Sequence, residues 1–227
     1  QVKQEDLEAA RDRVIIGQRR ESVAMSDEEK TATAYHEAGH ALVATLLPHA
    51  DPVHKVTILP TGQALGVTMQ LPEERHAYTK EYIEDRLAVL FGGRMAEDNV
   101  FGVISTGASN DLMQGTELAR KMVTEWGMSE RVGPRAWGSN AQIFLGDDLM
   151  SGREYSEDTA RIIDEEVQRI LVEQEHRAKK TLVENRSALD RIAAALLDKE
   201  TIDGNDIAKL IPEPTSDLAE GLNADLD

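Results

Sequence analysis

Apolar positions along this chain recur mostly at helical spacing, and the polar positions between them supply starts and stops. Leu7, Ala10, Val14 and Ile15 mark residues 5–19 as a helix, which meets Gly17 and then a polar run through Ser22. Ser26 and Glu29 form a capping-box pattern, after which "TATAYHEAGHALVATLLP" runs as a helix until Pro48 stops it. "HKVTILP" and "ALGVTMQLP" are short β-branched runs separated by "TGQ", which predicts two strands of a small sheet. Thr79 can cap a second helix, "TKEYIEDRLAVLFGGRMAEDN", whose Gly92–Gly93 pair either interrupts it or marks close helix packing.

A glycine-bearing loop, "FGVISTGASND", leads into the helix "DLMQGTELARKMVTEWG", which Gly127 ends. Residues 128–155 carry several glycines and read as an ordered loop with one strand at Gln142–Leu145. From Ser156 to about Asn185 the pattern is one long charged helix with Ile162, Ile163, Val167, Ile170, Leu171 and Leu182 as its apolar positions, serving either the core or a contact between subunits. "SALDRIAAALLD" and a segment near "GNDIAKLI" predict two more helices. Residues 212–227 hold two prolines, five acids and no Lys or Arg, the composition of a disordered tail. The fold class is therefore mainly α with a small β-sheet. The domain reading is residues 1–25 as the end of a neighbouring helical unit and a linker, residues 26–211 as the main domain, and residues 212–227 as the tail.

Composition narrows the function. At 227 residues the chain can bury a real core, and an aromatic content of only 4% disfavours an all-β sandwich. A formal charge of −17 repels phosphate backbones, so no nucleic-acid partner is expected. Cysteine is absent, so any metal must be held by His, Asp or Glu, and disulfides and thiolate nucleophiles are excluded. No stretch reaches the ~20 apolar residues that span a bilayer. The acidic start "QVKQEDLEAARDRV" lacks a signal-peptide core, opens without methionine inside a helical pattern and reads as a cut from something longer.

The chemistry is concentrated in "YHEAGHALVA". Residues i and i+4 share a helix face about 6 Å apart along the axis, so His36 and His40 can each aim a ring nitrogen at one ion. Glu37, one residue round from His36, stands beside that ion, where it can accept a proton from water. A catalytic zinc takes three protein ligands and leaves a fourth position open, so one more His, Asp or Glu is needed. His49 and His54 lie close to the end of the helix and are candidates, though loop and surface histidines are common. Glu97 follows "FGGRMA" on a helix, and Asp111 opens the helix after "STGASN", where an acid also stabilises a helix start. Spacing does not choose between Glu97 and Asp111.

The segments "HEAGH", "GQALGVT", "FGGRMAED", "STGASNDL", "LARKMVTEWGMSE" and "YSEDTARIIDEEVQRI" together resemble the proteolytic domain of the FtsH family, the membrane-anchored ATP-dependent zinc metalloproteases of bacteria and organelles. The resemblance covers nearly all of residues 1 to about 211. It implies zinc as cofactor, one per chain, with Asp111 as the third ligand beside His36 and His40, and Glu97 nearby as a supporting residue. Met95, Asp98 and Trp137 depart from the family pattern, at positions that are not ligands. The resemblance also implies a transmembrane segment and an ATPase domain, yet no G-x-x-x-x-G-K-[ST] phosphate loop occurs in these residues. Residues 5–20 look like the last helix of that ATPase, and ATP would act only through it. By the same resemblance the full-length protein is a six-membered homo-oligomeric ring in the bacterial inner membrane, with this domain on the cytoplasmic side and the fragment itself soluble. Its substrates would be unfolded or membrane proteins.

The mechanism expected is metal-assisted peptide hydrolysis, with Glu37 taking a proton from water and returning it to the leaving amine. An extended substrate would pair with a strand edge at Gly66, Val67, Thr68 and Met69, since backbone pairing gives affinity without demanding a sequence. The alternative is a non-enzymatic helical assembly module that holds an ATPase ring together and whose histidine pair is vestigial. The presence of Glu37 argues against it.

Overall fold

Ser26 begins the first helix as its sequence requires. Its hydroxyl accepts the Glu29 amide, and the Glu29 carboxylate accepts the Ser26 amide in return. The structure, a computed structural model, describes residues 24–61, 64–72, 74–137 and 155–211, with isolated positions among the first fourteen. Among those isolated positions Leu7, Ala10, Arg11, Arg13 and Val14 are helical, and the side chains of Leu7 and Val14 are exposed.

In chain order the elements are α1 (Asp27–Leu46), β1 (Val53–Thr57), β2 (Val67–Gln70), α2 (Lys80–Phe101), a 3₁₀ turn (Thr106–Ala108), α3 (Ser109–Thr124), α4 (Glu157–Glu184), α5 (Arg186–Lys199), β3 (Thr201–Asp203) and α6 (Gly204–Leu210). The chain is mainly helical with a small sheet, as the pattern predicts. Thr79 and Ser156 cap α2 and α4 through their hydroxyls, and Gly102 ends α2 in the left-handed region with φ 67°. The strand expected at Gln142–Leu145 and the acidic tail at 212–227 lie outside the described residues.

The sheet is antiparallel in the order β2-β1-β3. Val56 pairs with Thr68 on one side and with Ile202 on the other, so β1 is central and, among the described residues, β2 is an edge strand. The third strand was not expected, because Thr201–Asp203 is three residues wedged between two helices.

Two apolar clusters hold these elements. One gathers Leu42 and Val43 of α1, Ala88 and Phe91 of α2, Leu182 of α4, Leu189, Ile192 and Leu196 of α5, and Val56 and Ile202 of the sheet. The other joins Ile83 and Leu87 of α2 to Met122 and Val123 of α3 and to Ile163, Val167 and Ile170 of α4. Each fully buried Leu or Ile contributes roughly 1.5–3 kcal/mol. Ile163, Val167, Ile170 and Leu182 of the long charged helix are thereby core of this chain, which decides between the two uses their spacing left open. Asp85 of α2, 1% exposed, fastens the helices further: it accepts the His49 amide and meets Arg177 of α4 at 2.6 Å.

α1 and α2 cross in close contact. A Cβ built on Gly39 would lie 2.3 Å from the Gly92 carbonyl oxygen, and one built on Gly92 would lie 2.8 Å from the Gly39 carbonyl oxygen. The glycine pair in α2 therefore marks close packing and does not interrupt the helix.

Candidate metal centre

That crossing presses the His36–His40 face of α1 against α2. The two rings sit edge to face, their centroids 4.7 Å apart. A Cβ on Gly93 would lie 2.5 Å from His36 Nε2 and 2.6 Å from His40 Nε2, so the rings fit only because residue 93 has no side chain.

Each histidine is fixed through its Nδ1. His40 Nδ1 lies 2.7 Å from the Val89 carbonyl oxygen, and His36 Nδ1 lies 2.7 Å from Glu97 Oε1. Carbonyl and carboxylate oxygens only accept, so both Nδ1 atoms carry the proton and both Nε2 atoms are left as lone-pair donors. These two Nε2 atoms face each other at 3.0 Å. Two lone pairs at that separation repel unless a cation lies between them.

Asp111 supplies the third donor. It stands in the first turn of α3, just after the 3₁₀ turn, with Oδ2 3.5 Å from His36 Nε2 and 3.4 Å from His40 Nε2. Donors bound to zinc at about 2.0–2.1 Å in a tetrahedron lie ~3.3–3.4 Å from one another. The three separations, 3.0, 3.4 and 3.5 Å, bracket that edge length, so small shifts of the two rings let the residues hold a tetrahedral divalent ion. Among the described residues they form the one such group of His, Asp and Glu side chains.

Charge leads to the same conclusion. Burial by itself would lower the His36 pKa, but hydrogen bonds to Asp111 and Glu97 and the nearby Glu37 carboxylate outweigh it and push it up to about 10. Burial would raise the Asp111 carboxyl, yet its contacts with His36 and His40 hold it well below the usual carboxylate range. Glu97 is lowered as well, burial being outweighed by hydrogen bonds from His36 and Ser105. The pocket thus demands positive charge, and a proton supplies it where a metal ion does not.

The other sequence candidates fall elsewhere. His49 sits beside Asp85 and the His54 ring contacts Arg11, both outside the group of three. Glu97 touches His36 through the nitrogen turned away from that group, and its other oxygen accepts the Ser105 amide at 3.1 Å. Glu37 is 6% exposed, and its Oε2 accepts the Thr68 hydroxyl at 2.7 Å. Val67–Met69 lie on β2, an edge strand among the described residues, and Gly66 just before it, where a Cβ would lie 2.8 Å from Glu37 Oε1. Of the departures from the family pattern, Met95 is buried and Asp98 pairs with Lys179 at 2.8 Å.

The model of the family described as peptidase family M41 matches residues 23–210. The chain belongs to peptidase family M41. Its relatives include the ATP-dependent zinc metalloprotease FtsH of Acidimicrobium ferrooxidans, 59% identical over 92% of this chain and 32% of that protein. The ATP-dependent zinc metalloprotease FtsH of Acidobacterium capsulatum is 53% identical over 92% of this chain and 33% of its own length. The ATP-dependent zinc metalloprotease FtsH 2 of Salinibacter ruber is 48% identical over 94% and 32%. This M41 chain spans about a third of the length of those curated relatives.

Four supports of the candidate site have no direct signature in the sequence: the Val89 carbonyl, the Ser105 amide, the Thr68 hydroxyl and the bare Cα of Gly93. Only the last left an indirect signal, since a glycine pair inside a strong helix calls for a packing reason.

Proposed function

We propose that this M41 chain is the zinc-dependent endopeptidase module of a membrane-anchored, ATP-dependent protease. The observation that carries the reading is the set of three converging donors, His36 Nε2, His40 Nε2 and Asp111 Oδ2, with the Glu37 carboxylate on the same helix. These three residues would hold one zinc per chain. When bound, zinc supplies Lewis acidity, which polarises the scissile carbonyl and lowers the pKa of a water molecule.

The protein's own groups do the rest. Glu37 accepts a proton from the attacking water and returns it to the leaving amine. Glu97 and the Val89 carbonyl keep the two imidazoles in the tautomer that presents Nε2 to the ion. Gly66 and the outer edge of β2 from Val67 to Met69, an edge strand among the described residues, pair with an extended substrate. Exposed Val103, Ile104, Leu112 and Met113 flank Ser105 and Asp111 in the chain and suit apolar stretches of unfolded polypeptide. Among the described residues no helix is long and apolar enough to cross a membrane. The membrane anchor, the ATPase motor and a six-membered ring belong, on this reading, to a full-length protein of the size of the FtsH relatives, of which this chain spans about a third. The domain limits follow: residues 1–25 join the motor, residues 26–211 are the protease and residues 212–227 a tail.

The test is zinc analysis combined with degradation of an unstructured polypeptide, with and without a zinc chelator. About one zinc per chain and chelator-sensitive cleavage are expected. Glu37→Gln should keep the metal while hydrolysis falls at least ~10²-fold. A metal-free chain, or a Glu37→Gln variant with unimpaired activity, would remove the basis of the reading.

A further inference from the structure

Glu37 is almost fully enclosed, although hydrolysis gives it a proton to collect and return. Part of that enclosure comes from β2 and the residue before it. The Thr68 hydroxyl donates to Glu37 Oε2 at 2.7 Å. A Cβ placed on Gly66 would lie 2.7 Å from Glu37 Cγ and 2.8 Å from Oε1. One carboxylate oxygen is tethered, and the other has room only because residue 66 carries no side chain. The same hydroxyl lies 3.1 Å from the Glu37 carbonyl oxygen, but it has one proton, and the nearer, charged carboxylate is the stronger acceptor.

A glutamate side chain is rich in rotamers, and holding it in one of them has an entropic cost that a fixed hydrogen bond offsets before substrate arrives. We propose that Thr68 is a positioning residue for Glu37: its hydroxyl holds the carboxylate in the working rotamer, and Gly66 leaves the space for it. This rests on Glu37 being the proton acceptor. Side chain and backbone of Thr68 are then used separately. The hydroxyl aims the base, while the outer edge of β2, unpaired among the described residues, offers main-chain groups to an incoming strand. A polypeptide that pairs with this edge is registered against the base by the residue that holds the base, so docking and chemistry share one reference point.

If Thr68 merely tied β2 to α1, its loss would show in stability or in KM. If it aims the base, the loss falls on kcat. The experiment uses the zinc-loaded full chain and a fluorescently labelled, reduced and alkylated casein, and compares Thr68→Val, Thr68→Ser and Glu37→Gln. Thr68→Val is expected to lower kcat about 10- to 100-fold with KM, zinc content and melting temperature unchanged. Thr68→Ser, which keeps the hydroxyl, is expected to retain most of the activity, and Thr68→Val added to Glu37→Gln is expected to cost nothing more. Full kcat in Thr68→Val alongside an inactive Glu37→Gln overturns the positioning role and leaves the base intact. Full activity in Glu37→Gln removes the base and this proposal together. Crystal structures give a readout that needs no turnover. A Glu37 carboxylate that keeps its wild-type place in Thr68→Val overturns the proposal, and one that has left that place supports it.

Discussion

Asp111 and Glu97 both bring a carboxylate to His36, but to opposite ring nitrogens, and that difference sets what each loss should do. Asp111 reaches Nε2, the atom turned towards His40, whereas Glu97 reaches Nδ1. Asp111→Ala therefore removes one of three donors and should abolish tight zinc retention. Glu97→Ala leaves the donors in place and frees only the ring orientation, a loss typically worth ~10- to 100-fold in affinity. Zinc titration against a competing chelator would order the two, and the reverse order would make Glu97 the ligand. At this scale the sequence is legible where geometry is local. His36, Glu37 and His40 can be read because one helix converts their spacing into directions. Asp111 lies on another helix, so spacing alone left it level with Glu97 and only the wider resemblance favoured it. The Val89 carbonyl could not be read, because every residue carries a carbonyl and only the crossing of α1 and α2 selects that one.

Between elements, the decisive feature is how closely α1 and α2 approach. Helix propensity alone would reward Gly39→Ala by up to ~1 kcal/mol. The added Cβ, however, meets the Gly92 carbonyl oxygen at 2.3 Å, a backbone atom that cannot swing aside. Gly39→Ala should therefore destabilise the domain by about 1–3 kcal/mol or more, measured by chemical denaturation, and a stabilised variant would show the crossing to be looser than described here. A second junction, between α4 and the segment after α3, responds to acid. Burial would raise the Glu166 pKa, but hydrogen bonds from Arg169 and Ser129 outweigh it and hold its carboxyl below the usual carboxylate range. A carboxylate depressed in the folded state stabilises above its unfolded value and ceases to do so as pH falls through the folded one. Wild type should thus lose stability below about pH 4.5 more steeply than Glu166→Gln, as melting curves across that range would record. The helices themselves were legible because Ser26, Thr79 and Ser156 announce their starts and because their apolar faces repeat. β3 was not, because three residues carry no period and only tertiary pairing with β1 makes them a strand.

For the molecule as a whole, the site and the energy supply are separable. Peptide hydrolysis is downhill, and no phosphate loop occurs in these 227 residues. The chain by itself should cut an unstructured protein slowly and with no response to ATP. A stably folded protein should survive, since exposing an extended segment costs up to its global stability of ~5–15 kcal/mol. Following fragments of both substrates with and without ATP checks this, and ATP-stimulated loss of the folded one would place a motor within the chain. The pairing of Val56 with Ile202 carries a different implication, for how the protein is born. The central strand finds one of its two neighbours only after α2 to α5 have been made, and Leu189, Ile192 and Leu196, which cover the same core as α1, arrive equally late. A ribosome adding about 5–20 residues per second leaves the first helix and hairpin waiting on the order of ten seconds for that closure. During that wait the nascent chain holds two ready histidines and a half-covered apolar face, so that interval is when it most needs a chaperone.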